Sequence, residues 1–170
     1  MKKVGFIGFG GAGYGLAKGL GESGQIDITF YDSMLNDESI GPVLCRRADE
    51  TGARSCNSVA ELIYSAEIII SCVTGTFAVP VAEEAALHLN QHHLFVDVNT
   101  TSPKTMGLVY TALRKSGSAF ADVAMMGAVP TFLHRVPCLA SGIGAQMFKR
   151  CMEPYGMDIT CVGEEPGQAT

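Results

Sequence analysis

Short apolar runs alternate with amphipathic segments along the whole chain. The runs are rich in β-branched and aromatic residues and predict strands at residues 4–9, 26–31, 68–73, 94–98 and 119–125, with shorter ones at 53–56, 138–141 and 158–162. The run from Ile68 to Val73 has no polar alternation, which is typical of a central parallel strand buried on both faces. The alternation as a whole predicts a doubly wound α/β fold, with a mainly parallel sheet and helices on both faces.

The segments between these runs carry the spacing and the start signals of helices. Ser58 and Glu61 form a capping box, and Ser102 before Pro103 is a second helix start. Helices are predicted at 12–20, 42–51, 58–65 and 145–155, in a segment with an apolar stripe at Val81, Ala85 and Leu89, and from Pro103 through the core positions Met106, Val109, Tyr110 and Leu113. Residues 127–137 contain Pro and Gly and are interpreted as a connection.

Three glycines, Gly8, Gly10 and Gly13, follow the first predicted strand and open the first predicted helix. This is the G-x-G-x-x-G pattern in its strand-to-helix context. The first glycine allows a tight turn, the second lets the backbone approach a pyrophosphate, and the third lets helix and strand pack closely. The loop is therefore predicted to bind the pyrophosphate of a dinucleotide at the helix N-terminus, through Gly8, Phe9, Gly10, Gly11, Ala12 and Gly13.

Asp32 ends the second predicted strand, nineteen residues after Gly13. At about this distance, a Rossmann fold has the carboxylate that binds the hydroxyls of the adenosine ribose. Residues 33–36 contain no Lys or Arg to bind a 2′-phosphate, and the Asp32 carboxylate would repel one. NAD is therefore predicted as the cofactor in preference to NADP. The alternative interpretation of Asp32 is a turn aspartate.

Further cofactor contacts are predicted where other strands end, because ligands bind across the carboxyl ends of such sheets. The candidates are Cys72, Val73 and Thr74 after one strand, and Asn99 and Thr100 after the next. Cys72 has no histidine placed beside it in the sequence to activate a thiolate, so its thiol is interpreted as core packing.

Composition excludes several other classes of protein. A length of 170 residues suits one domain, and the net charge of −5 argues against a nucleic-acid-binding surface. The densest basic pair, Arg46-Arg47, is interpreted as a solvated helix face. No apolar run reaches the ~18 residues of a membrane span, and the early first strand leaves no room for a signal peptide. Six cysteines without a C-x-x-C pair predict a reducing cytoplasm, no disulfide frame and no metal site.

The segment from Gly5 to Ala17 resembles the opening of the β-hydroxyacid dehydrogenase family, which includes 3-hydroxyisobutyrate and 6-phosphogluconate dehydrogenases. Residues 97–103, Asp-Val-Asn-Thr-Thr-Ser-Pro, are similar to the family's D-x-S-T-x-x-P segment, whose Thr lies near the nicotinamide. Asn99 stands in for the Ser, and Thr100 matches. The resemblance implies an oxidoreductase that transfers a hydride between a nicotinamide cofactor and a small hydroxyacid, and a homodimer in the full-length protein.

Residues 120–127 look like the family's substrate-binding segment, F-x-D-A-P-V-S-G-G, with Met126 in place of the usual Ser and Ala128 in place of the second Gly. With the following residues they look more like a poorly characterised branch named after phosphogluconate dehydrogenase. A small anionic substrate is predicted to contact Met125, Met126, Gly127, His134 and Arg135. The alternative for the last two is a surface loop pair, or an Arg that caps a helix end.

The family's general acid/base is a Lys in a second, helical domain, a few residues after a G-x-G-Q-A-like sequence that resembles Gly167-Gln168-Ala169. The expectation is a dinucleotide-binding domain at 1–163, a linker at 164–170, and the catalytic Lys beyond Thr170. The chain would then contain no catalytic residue and be inactive alone. Alternatives are a non-catalytic NAD(P)-binding or sensing module and the cofactor half of an imine reductase-like enzyme. A methyltransferase is disfavoured by the glycine spacing.

Overall fold

The computed structural model of the chain describes residues 1–170 and contains one eight-stranded sheet. The strands are β1 (Lys2–Ile7), β2 (Ile26–Tyr31), β3 (Arg54–Ser55), β4 (Ile68–Ser71), β5 (Leu94–Asp97), β6 (Ala119–Met125), β7 (Cys138–Ser141) and β8 (Ile159–Gly163). The α-helices are α1 (Gly11–Gly21), α2 (Gly41–Thr51), α3 (Val59–Ser65), α4 (Ala78–Ala86), α5 (Pro103–Leu113), α6 (Val129–Phe132) and α7 (Ala145–Met152).

The order of strands in the sheet is β3-β2-β1-β4-β5-β6-β7-β8. All neighbouring strands are parallel except β6 and β7, which are antiparallel. From β1 the chain runs outwards to β2 and β3 and then crosses back to β4 on the other side of β1. The predicted doubly wound, mainly parallel sheet is confirmed. Its strand order reverses between β1 and β4, which is where such sheets bind ligands.

Helices cover both faces of the sheet. One face packs against α1, α2 and α7 in a cluster of 27 buried residues, and the other packs against α3, α4 and α5 in a cluster of 15. β4 contributes Ile68 and Ile70 to the first cluster and Ile69 to the second. This strand is therefore buried on both faces, as its unbroken apolar run predicts. None of the helices is both long enough and apolar enough to cross a membrane.

Two serines begin helices at the predicted places. The Ser58 hydroxyl accepts a hydrogen bond from the Glu61 N–H at 3.1 Å, and the Ser102 hydroxyl accepts one from the Thr105 N–H at 3.2 Å. The Glu61 carboxylate accepts from the Asn57 N–H at 2.8 Å, one residue before the position that a capping box uses. These bonds satisfy N–H groups that the first turn of each helix leaves without an acceptor.

Several element ends differ from the prediction. β1 ends at Ile7 and β4 at Ser71, two residues before the corresponding apolar runs end. The apolar run at β1 is longer than the strand because Phe9 lies beyond the strand and is still fully buried. Its ring stacks on Phe30 with ring centroids 4.1 Å apart. The last predicted helix ends at Met152 and continues as a 3-10 turn.

Residues 127–137 contain a short helix that the sequence prediction missed. α6 has Pro130 in its first turn, where the missing N–H of proline leaves no acceptor unpaired. A 3-10 turn follows at Leu133–Arg135, and Leu133 adopts a φ of 52°, the one positive φ outside glycine. Such a φ is strained for a branched side chain.

This α6 segment explains why α1 contains so many glycines, which lower its helix propensity. A Cβ added at Gly15 would lie 2.5 Å from Val129, and one added at Gly19 would lie 2.0 Å from Nδ1 of His134. A neighbouring segment therefore packs closely against α1 at both positions. It is not found at Gly11, where nothing lies within 4 Å.

Candidate functional site

The glycine loop joins β1 to α1 through contacts that admit no side chain. Gly8 has a φ of +92°, and a Cβ there would lie 2.5 Å from the carbonyl oxygen of Cys72. A Cβ at Gly13 would lie 2.3 Å from the carbonyl oxygen of Gly8. The Gly8 N–H donates to the carbonyl of Tyr31 at 2.8 Å. The loop is thus enclosed by the ends of β2 and β4 and by the first turn of α1.

Gly10 is the open position of the loop. Nothing lies within 4 Å of the place where its Cβ would be, and no side chain caps the first turn of α1. Its own N–H donates to no acceptor in the chain. The positive end of the α1 dipole and this free donor face the same space, which is the arrangement that binds phosphate groups. A dinucleotide pyrophosphate therefore fits this position.

Asp32 lies beside the loop, at the carboxyl end of β2. Its two carboxylate oxygens accept hydrogen bonds from the Phe9 N–H at 2.8 Å and the Met34 N–H at 2.9 Å. A carboxylate has about four acceptor positions, so two remain for further donors. This geometry combines both interpretations of Asp32, since the carboxylate supports its own turn and still faces the cleft.

A cleft of about 520 Å³ opens at the point where the strand order reverses, and its size is in the range of ligand pockets. The cleft brings together six of the residues predicted to bind the cofactor: Gly8, Gly10, Asp32, Cys72, Val73 and Thr74. Of the others, Gly11, Ala12 and Gly13 form the first turn of α1, and the Phe9 side chain is buried in the core. Burial raises the pKa of the Cys72 thiol, which suits packing better than nucleophilic catalysis.

Sequence reasoning missed the wall of the cleft that α3 and α4 form. Its members are Val59, Phe77, Pro80, Val81 and Glu84. Val81 was predicted to lie on one apolar stripe with Ala85 and Leu89. It is half-buried, whereas Ala85 and Leu89 are buried. The sequence position of α4 could have predicted this wall, because α4 starts directly after a strand end predicted to line the crevice.

The end of β5 lies next to this cleft, through contact between two loops. A Cβ added at Gly75, after β4, would lie 2.7 Å from the carbonyl oxygen of Thr100. The side-chain amide of Asn99 donates to the Ser71 hydroxyl and to the Asp97 carboxylate, both at 3.0 Å. Two buried oxygens here, Oδ1 of Asn99 and Oγ1 of Thr101, have no hydrogen-bond partner. Buried polar atoms are rarely left unpaired, and functional sites account for part of the exceptions.

Asp97 is fully buried beside this loop. Burial raises the pKa of its carboxyl to about 7, hydrogen bonds from Asn99 oppose the rise, and Asp122, its partner across to β6, adds to it. Since the folded pKa lies above the unfolded value, the folded protein binds more protons than the unfolded chain between about pH 4 and about pH 7. The stability due to neutral Asp97 is present below that window and is lost as the pH rises through it.

Substitution of Asp97 by Asn tests this assignment. The variant should gain stability relative to the wild type as the pH rises from about 4.5 to about 8, by on the order of 2 to 4 kcal/mol. Urea unfolding of both proteins at several pH values measures the difference. Asp158→Asn, at an exposed carboxyl, is the control and should give a pH-independent difference. The same flat difference in Asp97→Asn would contradict the raised pKa.

Asp122 joins β6 to the last residues of the chain. Its carboxylate accepts hydrogen bonds from the hydroxyl of Ser141 at 3.1 Å, the N–H of Gly167 at 2.9 Å and the hydroxyl of Thr170 at 2.6 Å. The Ala169 N–H also donates to the Ser141 hydroxyl at 3.0 Å. Residues 164–170 therefore pack against the middle of β6 and the end of β7.

The predicted substrate residues differ in burial. Met125 is half-buried, and Met126, Gly127 and Arg135 are exposed around α6. His134 is 5% exposed. Its ring lies where a Cβ at Gly19 would be, and 3.0 Å from one at Gly156. The substrate contact predicted for His134 is corrected to a packing role, because the ring fills the space that these glycines leave. No group of His, Cys, Asp and Glu is placed to hold a metal ion.

Arg47 is also placed differently from the prediction. The sequence interpretation gave Arg46 and Arg47 a solvated helix face, and Arg46 is indeed exposed. Arg47 is half-buried, and its Nη1 donates to the carbonyl of Phe9, in the glycine loop, at 2.9 Å.

The chain is similar in sequence and fold to several known proteins. A family model described as the NAD binding domain of 6-phosphogluconate dehydrogenase matches residues 3–163. A conserved hypothetical protein from Sinorhizobium meliloti 1021 is 34% identical with a TM-score of 0.93, over 99% of this chain and 56% of that one. The conserved protein MTH1747, of unknown function and described as structurally similar to 3-hydroxyacid dehydrogenases, is 32% identical with a TM-score of 0.83, over 98% of this chain and 60% of that one.

An imine reductase from Myxococcus stipitatus, solved with NADP⁺, shares the fold at 21% identity with a TM-score of 0.79, over 98% of this chain and 57% of that one. The chain thus spans between 56% and 60% of the length of these three proteins.

Proposed function

The chain belongs to the family of the NAD-binding domain of 6-phosphogluconate dehydrogenase, and from this premise we propose that it binds NAD as the cofactor half of a hydroxyacid-type dehydrogenase. The observation that carries the proposal is that one cleft is lined both by Gly10, whose N–H has no acceptor, and by Asp32, which has a carboxylate. The N–H and the α1 dipole would bind the pyrophosphate, and Asp32 would accept from the adenosine ribose.

The nicotinamide half is assigned to the ends of β4 and β5. Thr74 lines the cleft there, and Asn99 and Thr100 lie in the adjoining loop. When bound, the nicotinamide supplies hydride chemistry, and the chain's own residues bind and orient it. Met125 is half-buried at the carboxyl end of β6, and Met126, Gly127 and Arg135 are exposed beyond it. We assign these four residues to a small anionic substrate. The residues that line the cleft include no Lys or His, so the proton transfer is assigned to a residue outside this lining.

NAD is proposed in preference to NADP on the charge of the cleft. Its fifteen lining residues include two carboxylates, Asp32 and Glu84, and no Lys or Arg. A 2′-phosphate near Asp32 would be repelled with no cation to offset the repulsion. Arg47 contacts the glycine loop from α2, but its guanidinium donates to a backbone carbonyl and it does not line the cleft.

Titration with NADH, NADPH and S-adenosylmethionine tests the binding proposal. NADH should bind at least about tenfold more tightly than NADPH, because each 1.4 kcal/mol of repulsion changes the dissociation constant by about tenfold. S-adenosylmethionine should not compete. Quenching of protein fluorescence and enhancement of the reduced nicotinamide emission measure both affinities. Equal affinity for NADH and NADPH would refute the preference, and absence of NADH binding would refute the function.

Imine reduction is the second candidate, since an imine reductase shares this fold. The two reactions use the same cofactor cleft and differ in the substrate. Oxidation of a 3-hydroxyacid with NAD⁺ and reduction of a cyclic imine with NADH, followed by absorbance of the reduced cofactor, distinguish them. A non-catalytic binding module would bind NADH and support neither reaction in any longer form of the protein.

A further inference from the structure

The residue between the first two glycines of the loop is fixed by charged side chains on both sides. The Phe9 N–H donates to Oδ2 of Asp32 at 2.8 Å, and the Phe9 carbonyl accepts from Nη1 of Arg47 at 2.9 Å. The ring is fully buried and stacks on Phe30. Phe9 therefore has its backbone and its side chain held from three separate elements: the end of β2, the helix α2 and the core.

The bond from Arg47 acts on Gly10 as well, because the Phe9 carbonyl and the Gly10 N–H belong to one peptide unit. That unit is planar, and its C=O and N–H point in opposite directions. With the carbonyl directed at Arg47, the Gly10 N–H points away from α2. This N–H has no acceptor in the chain, and Gly10 lines the cleft.

Little else fixes this peptide plane on the Gly10 side. Glycine is free to adopt both positive and negative φ, and nothing lies within 4 Å of the Cβ position of Gly10. Rotation of the plane would turn a carbonyl oxygen, in place of an N–H, towards the phosphate position. The hydrogen bond from Arg47 opposes that rotation, and its charged donor makes it stronger than a neutral one.

Arg47 is itself fixed in place. Its guanidinium lies over the ring of Tyr14, 5.2 Å from the centroid, and the Tyr14 hydroxyl donates to the carboxylate of Glu50 on the same helix as Arg47. Lys18 Nζ donates to that hydroxyl at 3.3 Å. These contacts join α2 to the first turns of α1. Arg46, its neighbour, is exposed and its side chain makes no hydrogen bond, which makes it a matched control for charge.

We propose that Arg47 is a positioning residue for the cofactor: it orients the Phe9–Gly10 peptide so that the Gly10 N–H donates to the pyrophosphate. The inference rests on the proposed cofactor binding and adds a residue that does not touch the cleft. The contribution is specific to ligands that carry phosphate, because the Gly10 N–H would donate to the pyrophosphate and the ribose would be bound at Asp32.

The test compares Arg47→Met with Arg46→Met on NADH, ADP and adenosine. In Arg47→Met, NADH and ADP should each bind about tenfold more weakly, the loss expected for one hydrogen bond with a charged partner. Adenosine, which lacks phosphate, should change less than about twofold, and Arg46→Met should change less than about twofold for every ligand. Isothermal titration gives the first two affinities, and an NMR chemical-shift titration gives that of adenosine.

Each other outcome overturns the inference in a distinct way. An equal loss for adenosine would show that Arg47 only supports the folded loop, and an equal loss in Arg46→Met would show a long-range charge effect. Unchanged binding in Arg47→Met would show that Arg47 does not position the Gly10 N–H. If the wild type still bound NADH in that case, the proposed function would not be affected. Failure of the wild type to bind NADH would refute the function itself. Arg47→Gln, too short to reach the carbonyl, replaces Arg47→Met if that variant does not fold, with the same expectations.

Discussion

Substitution of Gly13 by Ala is expected to abolish detectable NADH binding while the protein remains folded but less stable. The added methyl would lie 2.3 Å from the carbonyl oxygen of Gly8 and 3.3 Å from its carbonyl carbon. Both atoms are backbone and cannot rotate away, so α1 must move from the end of β1. Overpacking of this kind costs about 1 to 3 kcal/mol of stability.

The loss of binding should exceed the loss of stability because the displaced parts are the binding groups. If α1 moves by even about 1 Å, the N–H groups of its first turn and of Gly10 can no longer all donate to the same phosphate. We expect NADH affinity to fall by more than about a hundredfold, or about 2.8 kcal/mol. Fluorescence titration gives the affinity, and thermal unfolding confirms that the variant is folded.

Gly107→Ala is the matched control. Gly107 also lies inside a helix, α5, and nothing lies within 4 Å of its Cβ position. The same substitution there should raise stability by up to about 1 kcal/mol through helix propensity and leave NADH binding unchanged. If Gly13→Ala bound NADH within about threefold of the wild type, the tight packing described for the loop would be wrong.

The parts of the site that could be predicted are those fixed by local sequence. Gly8, Gly10 and Gly13 lie within six residues of one another, and the conformation of the turn depends on them directly. Asp32 could be predicted because one strand, one helix and the next strand fix the distance along the chain to the same sheet edge. The unbroken apolar run of β4 likewise identified a central strand.

The parts that could not be predicted depend on how distant helices are rotated and packed. The bond from Arg47 to Phe9 joins residues 38 positions apart and requires that α2 present Arg47, and not Arg46, towards the loop. His134 was predicted to contact a substrate because of its residue type. Its burial depends on the absence of a side chain at Gly19, in another helix. Neither relation leaves a periodic signal in the sequence.

Substitution of Asp32 by Ala is expected to weaken NADH binding by about tenfold to a hundredfold, the effect of losing charge-assisted hydrogen bonds to two ribose hydroxyls. NADPH should lose less or gain, because the carboxylate that repels its 2′-phosphate is gone, so the preference for NADH should disappear. Part of the loss has another cause, since the Phe9 N–H then has no acceptor. Asp32→Asn separates the two causes, because its amide oxygen can still accept from Phe9 while the charge is removed.

The comparison between these variants decides what the carboxylate does. We expect Asp32→Asn to lose the discrimination against NADPH as fully as Asp32→Ala does, and to keep more of the thermal stability. Glu38→Gln, at an exposed acid that makes no hydrogen bond, removes the same charge from the same connection and should change neither affinity by more than about twofold. If Asp32→Asn retained the wild-type preference for NADH, the charge of Asp32 would not select the cofactor. The role of Asp32 would then be limited to supporting the Phe9 N–H and its own turn.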